Sequence, residues 1–153
     1  MKHSLFDLAA KDFNKPYGIQ GPSLVKAYLK LLHKSDYVNV VGNGDSIAHN
    51  IVTNHHYRDQ GWSLSQNPVV GVVMSVPANT SFKVRNRGRV EGMTTFEYGQ
   101  CYLVTKVHKH TIEVLSYEPN EREFKTQLML VKFLPKATYA VPPRHLLDQS
   151  DLW

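Results

Sequence analysis

The stretch Cys101-Tyr102-Leu103-Val104-Thr105-Lys106-Val107-His108-Lys109-His110-Thr111-Ile112-Glu113-Val114-Leu115-Ser116-Tyr117 reads as a β-hairpin. Two runs rich in β-branched and aromatic residues flank the short polar break His108-Lys109-His110, as in antiparallel neighbours. Upstream, the β-branched run from Pro68 to Pro77 predicts a further strand bounded by prolines. Downstream, Gln127 to Leu134 predicts another that stops at Pro135. Together they predict a small, mostly antiparallel sheet. Before the sheet the period changes: Leu24, Ala27, Tyr28 and Leu31 recur at helical spacing, with Pro22 in the first turn and Lys30, His33 and Lys34 at the far end, where the macrodipole favours cations. Leu5, Phe6, Leu8, Ala9 and Phe13 suggest a short amphipathic helix within residues 1–13. Ile47, Ile51 and Val52 suggest another from Ser46 onward, in a 35–67 region that otherwise reads as irregular. Helices first and strands after is the α+β pattern.

A chain of 153 residues with 42% apolar and 20% charged side chains suits one globular core and is too short for a separate cofactor module. Its single cysteine, Cys101, excludes an intrachain disulfide framework and a multi-cysteine zinc site. The net charge of +5 favours anionic partners without choosing among them. The opening Met1-Lys2-His3-Ser4-Leu5-Phe6-Asp7-Leu8 lacks the apolar run of a signal peptide, and no segment approaches the ~20 apolar residues of a membrane span, so a soluble protein is expected.

The run Asp12-Phe13-Asn14-Lys15-Pro16-Tyr17-Gly18-Ile19-Gln20-Gly21-Pro22-Ser23-Leu24-Val25-Lys26-Ala27-Tyr28-Leu29 resembles the entry to the catalytic helix of CHAP domains, papain-like cysteine amidases and peptidases of phage endolysins, tail proteins and bacterial wall hydrolases. Gly42-Asn43-Gly44 resembles that family's Gly-Asn-Ala turn, and Pro68-Val69-Val70-Gly71-Val72-Val73 its proline-led strand. Tyr98-Gly99-Gln100-Cys101-Tyr102-Leu103-Val104 resembles its Gly-His-Val strand, and Thr111 to Ser116 the strand after it. The resemblance covers roughly residues 12 to 134 in the family's order. It implies a papain-like fold, a phage or phage-related origin, a place in the host cytoplasm or the virion, and a protein partner or cell-wall peptidoglycan as ligand. The division that follows is an N-terminal segment over 1–13, a CHAP-like domain over 14–135 and a C-terminal tail over 136–153.

The same resemblance puts Gly21 where the family carries its cysteine, Gln100 where it carries its histidine, and Ser116 where a polar residue orients that histidine. Glycine offers no nucleophile and an amide accepts no proton near neutral pH, so the expectation is a catalytically inactive binding or structural protein. A divergent amidase or endopeptidase with a relocated nucleophile is the alternative; Cys101 with His108 or His110 would then carry the chemistry. Alternation along a strand argues against it, since Cys101 should face away from Gln100 as a buried thiol. Ser23, two positions beyond Gly21 on the helix, suits capping or the surface better than attack.

Lys83, Arg85, Arg87 and Arg89 place four cations in seven residues, read as a loop between strands. Such a loop suits phosphates, and a basic inhibitor or nucleic-acid-associated factor is the third reading. No aromatic stacking pattern accompanies it in sequence, so nucleic acid is not the favoured partner. Tyr17 and Trp62, with Tyr28, Tyr57 and Tyr102, are candidates to line the remnant cleft or to fill the core. His49, His55, His56, His108 and His110 fall short of the converging ligands of a zinc site, and neither a metal nor another cofactor is expected.

Overall fold

A computed structural model describes residues 5–12, 21–118 and 121–149. The chain is α+β. Its helices are α1 (Leu5–Asp12), α2 (Gly21–His33), α3 (Ile47–Thr53), α4 (His55–Arg58) and α5 (Arg144–Gln149). Its strands are β1 (Ser63–Ser65), β2 (Val73–Val76), β3 (Ser81–Asn86), β4 (Arg89–Thr94), β5 (Gln100–Val107), β6 (Thr111–Glu118), β7 (Glu123–Leu130) and β8 (Thr138–Val141). They form one eight-stranded sheet in the order β1-β8-β2-β5-β6-β7-β3-β4, with every neighbouring pair antiparallel. No helix among the described residues is long and apolar enough to cross a membrane.

Strand alternation divides the apolar residues into two cores. Val73, Cys101, Leu103 and Tyr117 face the helices, while Met74, Tyr102, Val104 and Val114 face the opposite side. Among the described residues, no α-helix packs on that second side. It is closed by the sheet's own curl, which brings Phe82 of β3 edge-on to Tyr102 of β5, ring centroids 6.4 Å apart, although β6 and β7 lie between them in the sheet. Both faces of the central strands are therefore buried, and all four residues of β2 are inaccessible.

The helical period of α2 marks one apolar face, yet Val25, Leu29 and Leu32 are buried as well as Leu24, Ala27 and Tyr28. The extra burial comes from helices laid over its outer side: Phe6 of α1 stacks on Tyr28 at 5.7 Å, and Leu146 and Leu147 of α5 pack on the same core. Two buried polar contacts fix the helices to the sheet. Tyr28 Oη donates to the Gly71 carbonyl at 2.8 Å, and the Ala48 amide in the first turn of α3 donates to Ser75 Oγ of β2 at 3.0 Å, which satisfies a donor that the helix itself leaves without a partner.

The hairpin of β5 and β6 and the helices at α2 and α3 agree with the sequence reading. The 35–67 region, read as irregular beyond the helix after Ser46, also holds α4 and β1. Four further stretches differ from the reading. The run from Pro68 begins as a turn and is extended only from Val73, because Gly71 adopts φ +95° and its carbonyl turns to Tyr28. The predicted strand Gln127–Leu134 starts earlier, at Glu123, and stops at Leu130, where Val131–Phe133 make a 3₁₀ turn. The cation-rich segment is a β-hairpin rather than a loop. Asn86 pairs with Arg89 across Arg87 and Gly88, both at positive φ, the two-residue turn whose twist matches its strands. Finally, the segment after Pro135, read as a tail that packs back on the domain or serves as a docking peptide, enters the sheet itself: β8 lies between β1 and β2.

Removing either lock should leave a buried group unpaired. Tyr28→Phe and Ser75→Ala are each expected to lower unfolding free energy by about 1–3 kcal/mol in denaturant titrations, with an unchanged m-value.

A second expectation concerns pH. His33 Nε2 accepts from Trp62 Nε1 at 3.0 Å while Nδ1 meets Gln60 Oε1 at 3.1 Å, an arrangement that requires the neutral ring with its proton on Nδ1. Burial lowers the His33 pKa, the Gln60 hydrogen bond partly opposes this, and nearby His56 and His145 lower it further. The unfolded chain thus binds the proton more tightly. The stability contributed is complete above the ordinary histidine value of about 6.5 and is lost as pH falls through the depressed folded-state value. Denaturation midpoints should fall on acidification, and His33→Gln should flatten that dependence.

Candidate functional site

Three backbone segments converge at one end of the helix-covered sheet. Gly21 begins α2, Asn43 and Gly44 form a turn before α3, and Gly99 and Gln100 lead into β5. Their approach is closer than side chains allow. A Cβ on Gly44 would stand 2.7 Å from Gln100 Cα, so the turn rests directly on the β5 backbone, and the Asp45 amide donates to the Tyr98 carbonyl at 3.0 Å. Gly21 is also beside Gln100: a Cβ placed on it would lie 3.1 Å from Gln100 Oε1. The two positions that the resemblance matches to a nucleophile and a base thus lie side by side.

Between these segments lies a cleft of about 600 Å³. One wall is Gly21 and Pro22 with Asn43 and Gly44, and another is the loop Phe96-Glu97-Tyr98, with Gln100 and Glu118 completing the lining. Phe96 is 67% exposed and Tyr98 61%, large aromatic surfaces left to solvent beside a concavity.

Gln100 has both ends of its amide engaged. Nε2 donates to Glu118 Oε1 at 2.9 Å, and Oε1 accepts the Cys101 amide at 3.0 Å. The group orienting Gln100 is therefore Glu118, not Ser116. The β5–β6 register pairs Leu103 with Leu115, which sets Gln100 opposite Glu118 at the mouth and leaves Ser116 deeper along the strand. Ser116 is fully buried, and its Oγ is without a hydrogen-bond partner. Chemically the site holds a carboxylate that accepts a hydrogen bond, an amide that relays no proton, and a helix terminus without a side chain.

Cys101 joins the helix-side core and is 2% exposed. Burial pushes its thiol up to about 12, so it is a protonated core residue at neutral pH. His108 and His110 stand exposed at the opposite end of the eight-residue β5, roughly 23 Å along the strand, and the structure does not bring them to Cys101. Trp62 is 2% exposed and bonded to His33, so it is a core residue rather than a cleft residue. Tyr28, Tyr57 and Tyr102 are also buried; Tyr17 lies outside the described residues. Ser23 is buried within α2 rather than on the surface. Lys83, Arg85, Arg87 and Arg89 are exposed on the β3–β4 hairpin, away from the cleft lining. No group of three or more His, Cys, Asp or Glu side chains among the described residues converges as metal ligands would.

Sequence reasoning missed Glu118 and the Phe96-Glu97-Tyr98 loop. Counting back from the His108-Lys109-His110 turn sets Gln100 opposite position 119, and only the bulge between Val104 and Lys106, which the sequence does not signal, shifts the partner to Glu118.

The thiol gives a direct check: native protein should resist modification by a maleimide at pH 7 and become reactive on the timescale of global unfolding. Fast labelling of folded protein would mean that Cys101 is not a core residue.

The chain has no match among protein-family models, curated proteins or solved structures.

Proposed function

We propose that this chain is a catalytically silent, CHAP-like binding module of phage or phage-related origin, holding a peptide segment of peptidoglycan or of a neighbouring protein in the cleft beside Gly21. The observation that carries the reading is the approach of Gly21 to Gln100, 3.1 Å from a Cβ position to Oε1, with Gln100 hydrogen-bonded to Glu118 in turn. A helix N-terminus, a strand residue beside it and a polar partner on the next strand form the spatial order of nucleophile, base and orienter. Here each place is filled by a group that binds and does not react. The papain-like fold belongs to this reading, supported by α2 packed on an antiparallel sheet with its N-terminus at the mouth of the β5–β6 hairpin.

The exposed rings of Phe96 and Tyr98 suit an extended peptide or sugar-peptide strand, which would bury them. The carboxylates of Glu97 and Glu118, both in the cleft lining, would meet ligand amines.

Two measurements test it. Wild-type protein should cosediment with purified peptidoglycan or be captured by an immobilised peptide partner, release no soluble fragments, and lose retention in the Phe96→Ala/Tyr98→Ala variant. Turnover by the wild type, or retention indifferent to both rings, would overturn the reading. Second, Gly21→Cys combined with Gln100→His should label with iodoacetamide at pH 7 about tenfold faster than Gly21→Cys alone, because the imidazole and the helix dipole would stabilise the thiolate. Equal rates would mean that the two positions do not form a nucleophile–base geometry.

A further inference from the structure

Near the β4 edge of the sheet the structure gathers what the sequence keeps apart. Lys83 and Arg85 occupy alternate positions of β3 and so project from one face, opposite to buried Phe82 and Val84. Across β4 that face continues through Val90, paired with Arg85, and Gly92, paired with Lys83, where no side chain intervenes. The 3₁₀ turn after β7 brings Phe133 against it: Lys83 Nζ lies 4.2 Å from the Phe133 ring centroid and Lys132 Nζ lies 5.8 Å from it. The ring remains 41% exposed. The β5–β6 turn closes on the same place, with the Val131 amide donating to the His110 carbonyl at 2.9 Å, so exposed Lys109 belongs to this end of the sheet as well.

We propose that this surface binds a single-stranded polynucleotide, with Phe133 as a base-stacking platform and Lys83, Arg85 and Lys132 as partners of the flanking phosphates. An exposed ring among cations is the combination that sequence-tolerant single-strand binding requires: the ring takes the face of any base, and the cations track the backbone. Lys83 and Arg85 stand roughly 6.8 Å apart along the strand, comparable with successive phosphates of an extended single strand. A duplex hides its base faces and offers nothing for Phe133 to stack on. A cation–π contact at an exposed site is weak, so an incoming base displaces the Lys83 ammonium from the ring at little cost and frees it for a phosphate. The surface contacts base faces and phosphates and reads neither base edges nor the ribose hydroxyl, so DNA and RNA strands should bind alike.

Fluorescence anisotropy with a labelled twelve-nucleotide oligo-dT, and with oligo-U of the same length, tests this on the full chain. Both should bind at about 50 mM salt, with affinity falling as salt rises. Phe133→Ala should weaken binding about fivefold or more. Lys83→Gln with Arg85→Gln should weaken it and reduce the log–log salt slope by roughly 0.7 for each phosphate deprived of its cation. Circular dichroism confirms that these surface variants stay folded, and Phe96→Ala/Tyr98→Ala, in the cleft, should bind the oligonucleotide like the wild type. Three results would each overturn the proposal: no binding at low salt, a twelve-base-pair duplex held as tightly as the single strand, or an unchanged affinity in Phe133→Ala with polyphosphate competing as well as oligo-dT. The last would reveal a surface for anionic polymers without bases.

Discussion

Burial of α2 on nearly all sides is the constraint from which the rest of the molecule follows. A helix that packs on a sheet with one face and under α1 and α5 with the other has almost no freedom to slide, and the Tyr28 hydroxyl on the Gly71 carbonyl holds its height over β2. Its first residue is thereby held against Gln100, and the backbone-to-backbone approach of Gly44 to the same residue fixes the Asn43-Gly44 turn beside it.

The polar inventory of the cleft decides its chemistry. An imidazole beside Glu118 would exchange a proton near neutral pH, whereas the Gln100 amide is held by its two hydrogen bonds and has none to exchange. The thiol of Cys101, one residue away, faces the other side of the strand, where burial keeps it protonated. Proximity in sequence gave no proximity of function.

The α+β order, the β5–β6 hairpin, α2 with Pro22 in its first turn, and the meeting of Gly21 with Gln100 were legible because each rests on short-range periodicity or on motif order. What was not legible rests on long-range pairing. Glu118 depends on the register of a bulged hairpin, and Thr138–Val141, a short run between prolines, pairs with strands far earlier in the chain. The reading of Lys83–Arg89 as a loop failed because its charges alternate with residues that face a core made elsewhere: Phe82 and Val84 meet Tyr102 and Met129. Phe133 beside Lys83 was invisible for the same reason, since fifty residues separate them in sequence and one 3₁₀ turn joins them in space.

The interior place of β8 bears on how the chain is made. During vectorial synthesis β1 and β2 leave the ribosome long before the strand that sits between them, so β1 has no neighbour and β2 keeps one edge open until residues 138–141 emerge. The nascent polypeptide thus carries an unfilled slot from the emergence of β2 until that of β8, and this part of the sheet cannot close before then.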